Sequence, residues 1–350
     1  MIPFDENPEP PSHDDAGDQP ISAEPPDATP PRDALDELSS HLVVHPFEAQ
    51  PGPLDASALP SAEPPPPFPP PLTPRHPSFL PEDLRITWSW VHLTLFAFFA
   101  IASIIAIQVA LVIYYAAGRH LSQKELEELF QTKPEVAVGS NVLWFFLIFL
   151  FLYVTLAVLR DRPFWSTLGW KKLSLSANAP SNPWIYFGGG IGLAIMVAIV
   201  SSRIKTPDHL PIQELFKNRT GAMLLMAMAV LVAPLVEETV FRGYLYPLFA
   251  STSSRIASGF GADPASAVSA GTAVGIVVTG VLFGFLHGAQ LGWTWGLVAM
   301  LSTVGIIFTF ARARAGTVLA SFLLHLGYNS MIAISAIVST RGFTHMPPGP

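Results

Sequence analysis

The run Glu237-Glu238-Thr239-Val240-Phe241-Arg242 closes the apolar stretch Gly221–Val236, so the chain drives two carboxylates and a guanidinium into or against a membrane. A central Asp, Lys or Arg costs about 2.5 to 3.5 kcal/mol on insertion scales, and charges kept at that cost mark a functional site. Spacing separates their roles. Glu238 and Arg242 stand at i,i+4 and can pair on one helix face, whereas Glu237 is turned about 100° away and has no partner in its own helix. Such a carboxylate suits general acid or base work; a buried ion-pair lock between helices is the alternative reading of the same residues.

Two further polar sites fall in later apolar segments. Phe283-Gly284-Phe285-Leu286-His287 places a histidine one turn after a phenylalanine, and His325-Leu326-Gly327-Tyr328-Asn329 directs His325 and Asn329 to one side of a helix. Either alone reads as a packed, hydrogen-bonded pair of helices. Polar groups on three membrane helices, however, have a shared interior cavity as their common destination. The set is chemically complete for hydrolysis: Glu237 can take a proton from water, His287 can hold that water or share a metal, and His325 with Asn329 can donate to an oxyanion. A zinc ion held by Glu237, His287 and His325, with water as fourth ligand, also satisfies the stoichiometry of a catalytic site. Ser321 and Ser330 are near in sequence, but no acid follows to orient a serine triad.

Helices long enough to span a bilayer must position these groups. The 350 residues are 50% hydrophobic and 13% charged, which with the long apolar runs specifies a polytopic membrane protein. Spans are expected at Trp90–Ala117, Asn141–Leu159, Trp184–Ser202, Gly221–Ala250, Ala273–Gln290, Trp293–Ala311 and Thr317–Ser339. The expected fold is thus an all-α transmembrane helical bundle of about seven spans. The fourth span either continues as one long helix or breaks near Pro234. A short surface helix is expected over Leu121–Thr132 and an interfacial anchor over Arg162–Lys172. Gly280, Gly284 and Gly288 recur every four residues and call for close packing on one face of the fifth helix.

Residues 1–85 differ from the rest. They hold 16 of the 26 acids, 23 of the 35 prolines and 3 of the 19 basic residues, and read as a disordered, acidic, Pro-rich tail. The remainder is net basic, but its cations lie in short loops rather than on one face, which removes the case for a nucleic-acid partner. Those loops divide evenly between the two sides of the bundle: Arg85, Arg160, Arg162, Lys171, Lys172, Arg255, Arg312 and Arg314 fall on one, so orientation is undecided. There is no cysteine, hence no disulfide, thiolate nucleophile or sulfur-ligated zinc.

Glu237-Glu238-x-x-x-Arg242, Phe283-x-x-x-His287 and His325-x-x-x-Asn329, in this order, resemble the motifs of the CPBP family of intramembrane proteases. That family includes the type II CAAX prenyl endopeptidases and bacterial abortive-infection proteins. The flanking Ala233-Pro234-Leu235-Val236 and Phe241-Arg242-Gly243 agree, and the likeness spans roughly Trp184–Ser339. The tail 1–85 and a first membrane region 86–183 lie outside it, and it implies a protease domain over 184–340. It further implies that Glu237 activates water, that Glu238, His287, His325 and Asn329 complete the catalytic centre, and that Arg242 supports it. A metalloprotease using zinc and a metal-free glutamate–histidine centre are both compatible with this likeness. The expected partners are the lipid bilayer and a membrane-associated protein or peptide substrate, in a multi-pass protein of a bacterial inner membrane; oligomeric state is left open. Two other classes compete: a non-catalytic membrane adaptor or immunity protein that keeps the fold, and a proton-coupled transporter, which would call for internal repeats that the chain lacks.

Overall fold

The computed structural model describes residues 78–120, 133–174, 179–204 and 219–345, together with Ser122 and Glu125. The Pro-rich tail up to residue 77 and most of the surface helix expected over Leu121–Thr132 lie outside the described residues. What is described is helical, and seven helices are long and apolar enough to cross a membrane: α1 Trp90–Gly118, α2 Pro134–Val158, α3 Pro183–Ser201, α4 Arg219–Gly259, α5 Pro264–Leu286, α6 Trp295–Ala315 and α7 Val318–Ser339. Large apolar side chains such as Phe98, Ile101 and Ile105 face outward, as a lipid-facing surface requires.

The fourth span neither breaks nor stops at Ala250. It runs for 41 residues, about 60 Å at 1.5 Å per residue and about twice the thickness of a hydrocarbon core. Two π-helical turns, Met228–Val232 and Thr239–Leu245, interrupt its α-helical register. The first ends just before Pro234, which has no N–H to continue the i→i+5 ladder. The chain absorbs the proline by widening the turn before it rather than by breaking.

The fifth helix begins nine residues earlier than expected, at Pro264. Asp263 caps it, its Oδ1 accepting from the Ala265 and Ser266 amides at 3.0 and 3.1 Å, and the small polar residues that follow hide this start from a hydropathy reading. Small residues set the helix packing. A Cβ at Gly271 or Gly275 would meet Ser254 and Ala250 of α4, and one at Gly280 or Gly284 would meet Ile306 and Ser302 of α6. The expected glycine face is therefore divided between two neighbours, and Gly288 lies beyond the helix end, against Trp293. Helices α3 and α7 cross where Gly190 approaches the Leu324 carbonyl and Gly327 the Phe187 carbonyl.

The tail boundary moves as well. Leu80 and Leu84, inside the segment expected to be disordered, are buried beside Tyr246 and Ala250 of α4, and Arg85 Nε donates to the Leu80 carbonyl at 2.7 Å. Two leucines spaced one turn apart find an apolar seat on α4, which the proline- and acid-rich composition around them conceals. The larger core joins Trp88, Leu152, Leu156, Tyr244 and Phe283, and a second one joins Leu193, Val304, Phe308, Leu324 and Tyr328.

Candidate active site

Glu238 and Arg242 pair as their spacing predicts. Arg242 Nη1 donates to Glu238 Oε1 at 2.9 Å, and both side chains are fully buried. The remaining donors of Arg242 go to α6: Nη2 to the Gly305 carbonyl at 2.9 Å and Nε to Thr309 Oγ1 at 3.2 Å. The Phe283 and Phe308 rings lie 4.6 and 5.3 Å from the guanidinium carbon. An arginine this far from water is tolerable because its charge, its hydrogen bonds and its flat faces are all met. Sequence reasoning missed these contacts. Their signal was present, since Gly305, Thr309 and Arg312 recur at i, i+4 and i+7 as a small and polar stripe along an apolar helix.

Glu238 also receives His325. The imidazole Nδ1 lies 2.9 Å from Glu238 Oε1, and because a carboxylate only accepts, Nδ1 carries the proton. The ring is thereby oriented with Nε2 toward Glu237, 3.9 Å from its Oε2. His287 is built alike. It stands at the C-terminal cap of α5 rather than inside the helix, and its Nδ1 donates to the Phe283 carbonyl at 2.7 Å. Its Nε2 is turned to Glu237 Oε1 at 3.8 Å. The unpaired glutamate of the sequence motif thus lies between two imidazoles whose Nδ1 atoms are both committed elsewhere. With both imidazoles neutral and the Glu237 carboxylate ionised, all three groups face one another as acceptors, at separations too long for direct hydrogen bonds. Only a species that brings protons or positive charge satisfies such a cluster.

Asn329 is placed otherwise than expected. Its Nδ2 donates at 2.7 Å to the carbonyl of Ala229 in the first π turn. The α-helical donor for that carbonyl, the Ala233 amide, is bonded to Met228 instead, and its π-helical donor would be Pro234. Asn329 supplies the missing hydrogen bond and ties α7 to the wide turn that precedes the glutamates. With the N–H of neutral His325 committed to Glu238, neither residue stands as the ready oxyanion donor expected from the sequence. Ser321 donates to the Val318 carbonyl of its own helix. Among the described residues no group of three or more His, Cys, Asp or Glu side chains is arranged to hold a metal ion.

A family model described as Rce1-like, type II CAAX prenyl endopeptidase Rce1-like, matches residues 219–331, from the start of α4 into α7. This stretch holds all three motifs, and the match bears out the family likeness read from them. No curated protein and no solved structure matches the chain.

Proposed function

From the premise that residues 219–331 are of the Rce1-like type II CAAX prenyl endopeptidase family, we propose that this integral multi-pass membrane protein is an endopeptidase that hydrolyses a peptide bond of a membrane-associated protein. The observation that carries the reading is the carboxylate of Glu237 with an imidazole Nε2 at 3.8 and 3.9 Å on either side. A water seated among them donates one proton to Glu237 and one to an imidazole, and presents its lone pair to a peptide carbonyl. Glu237 takes a proton as the water oxygen attacks the carbonyl carbon. The third acceptor of the cluster is satisfied when one imidazole holds a second proton. That imidazolium is then the group able to donate to the oxyanion or to the departing amine, in place of the committed Asn329 amide. Collapse of the tetrahedral adduct breaks the C–N bond; the carboxyl and amine products carry away the atoms of the water. Glu238 and Arg242 act at one remove, by holding His325 in the tautomer that faces the reaction.

The test is cleavage of a membrane-tethered peptide library by the purified chain in nanodiscs, with metal analysis of wild type, His287→Ala and His325→Ala. Cleavage by wild type that Glu237→Gln abolishes supports the reading. A stoichiometric metal lost in both histidine variants would assign the activation of water to a bound ion; cleavage by metal-free protein would assign it to Glu237. No cleavage of any tethered peptide by wild type would turn the reading toward a peptide-binding adaptor.

A further inference from the structure

A second polar centre lies away from the glutamates, where the entry to α1, the exit from α2 and the last turn of α6 come together. Arg312 closes it. The side chain is 1% exposed, yet its Nε and Nη1 have no hydrogen-bond acceptor among the described residues, where the nearest acid, Asp83, leaves 3.5 Å between Oδ2 and Nη1. The guanidinium is held in place all the same. The Tyr246 ring lies 5.7 Å from its central carbon, and Gly169, with φ +78°, gives way to it: a Cβ there would stand 2.7 Å from Nη2. A fixed, buried cation with donors left over is costly unless something else accepts from them.

The cavity in front of it has a volume of about 290 Å³, close to the lower bound for ligand sites and too small for a folded segment. Arg85, Arg162 and Lys171 also line it, against two acids, Glu82 and Asp83. Lys171 is satisfied by Glu82 at 2.9 Å, whereas the Arg162 side chain meets no acid among the described residues. The charge is therefore unbalanced toward an anion. Its position at the ends of three spans is the level at which lipid headgroups lie.

We propose that this pocket binds a phosphate group, with Arg312 as the buried anchor and Arg162 as the outer contact. The geometry requires several acceptor oxygens around one charge, which a phosphate provides whether it belongs to a lipid headgroup or is free. Binding is read by thermal unfolding of the full chain in phosphatidylcholine nanodiscs. Inorganic phosphate is added to one series, phosphatidic acid is mixed into the bilayer of another, and sodium chloride supplies equal ionic strength in the control. The melting temperature of wild type is expected to rise with ligand concentration. Apparent affinity should fall about tenfold or more in Arg312→Gln, and severalfold in Arg162→Gln, which removes only an outer charge. A rise with phosphatidic acid alone identifies a lipid headgroup as the source; a rise with both identifies the phosphate group itself. No rise beyond the chloride control, or an equal rise in wild type and Arg162→Gln, overturns the proposal, even where Arg312→Gln fails to fold.

Discussion

Adjacent glutamates, alike in type, are separated by their surroundings. Glu237 keeps 17% of its side chain exposed and faces the imidazoles of His287 and His325, whereas Glu238 is fully buried between Arg242 and His325. Glu237→Gln is accordingly expected to accumulate normally and to lose about two to four orders of magnitude in cleavage rate. Glu238→Gln leaves Arg242 charged with its partner gone, at a cost of about 3 to 5 kcal/mol, and should appear as a lowered melting temperature and poor yield before any kinetic effect. Normal yield and melting with selective loss of cleavage in Glu238→Gln would reverse the two roles. Asn329→Ala makes a third case. It strands the Ala229 carbonyl, so about 1 to 3 kcal/mol should be lost from stability, with cleavage per folded molecule falling far less than in Glu237→Gln. The sequence made the Glu238–Arg242 pairing legible because i,i+4 spacing is a local property. The role of Asn329 was not legible, since its partner is a backbone carbonyl exposed by a proline 95 residues before it.

Helices carry this chemistry only as well as they pack. Where α5 and α6 meet, a Cβ on Gly305 would lie 2.7 Å from the Gly280 carbonyl, and the Gly305 carbonyl is itself an anchor of Arg242. Gly305→Ala should therefore separate the two helices and loosen Arg242 together. Loss of melting temperature and of cleavage is expected, while alanine at Gly192, whose added Cβ would meet nothing within 4 Å among the described residues, should be nearly silent. Equal behaviour of the two variants would show that close helix approach does not hold the site. Hydropathy located all seven spans, since a bilayer demands a minimum length of apolar chain, but it mislaid their ends. The ends are set by caps such as Asp263 and by proline-induced turns, whose residues carry little hydropathy signal.

For the molecule as a whole, the edge of the folded unit is the first question. Removal of residues 1–77 should leave thermal unfolding in detergent unchanged. Removal through Arg85 uncovers the seats of Leu80 and Leu84 and should cost about 1.5 to 3 kcal/mol for each leucine, visible as a lower melting temperature. Equal melting of both truncations would show that the two leucines add nothing. The folded unit is arranged about α4, whose wide turns also decide where the chain can change length. Each π turn contains one residue more than an α-helix needs. Deleting Leu231, a 67% exposed residue of the first wide turn, would remove the extra residue while Glu237, Glu238 and Arg242 keep their bearings, at the smaller cost of the kink that Pro234 imposes on a regular α-helix. Deleting Met223, 51% exposed but in regular α-helix, would swing everything before it about 100° out of phase with α7. Gaps in the sequences of relatives, and shortened variants that survive selection, should therefore gather in that single wide turn and be rare in the turns on either side of it.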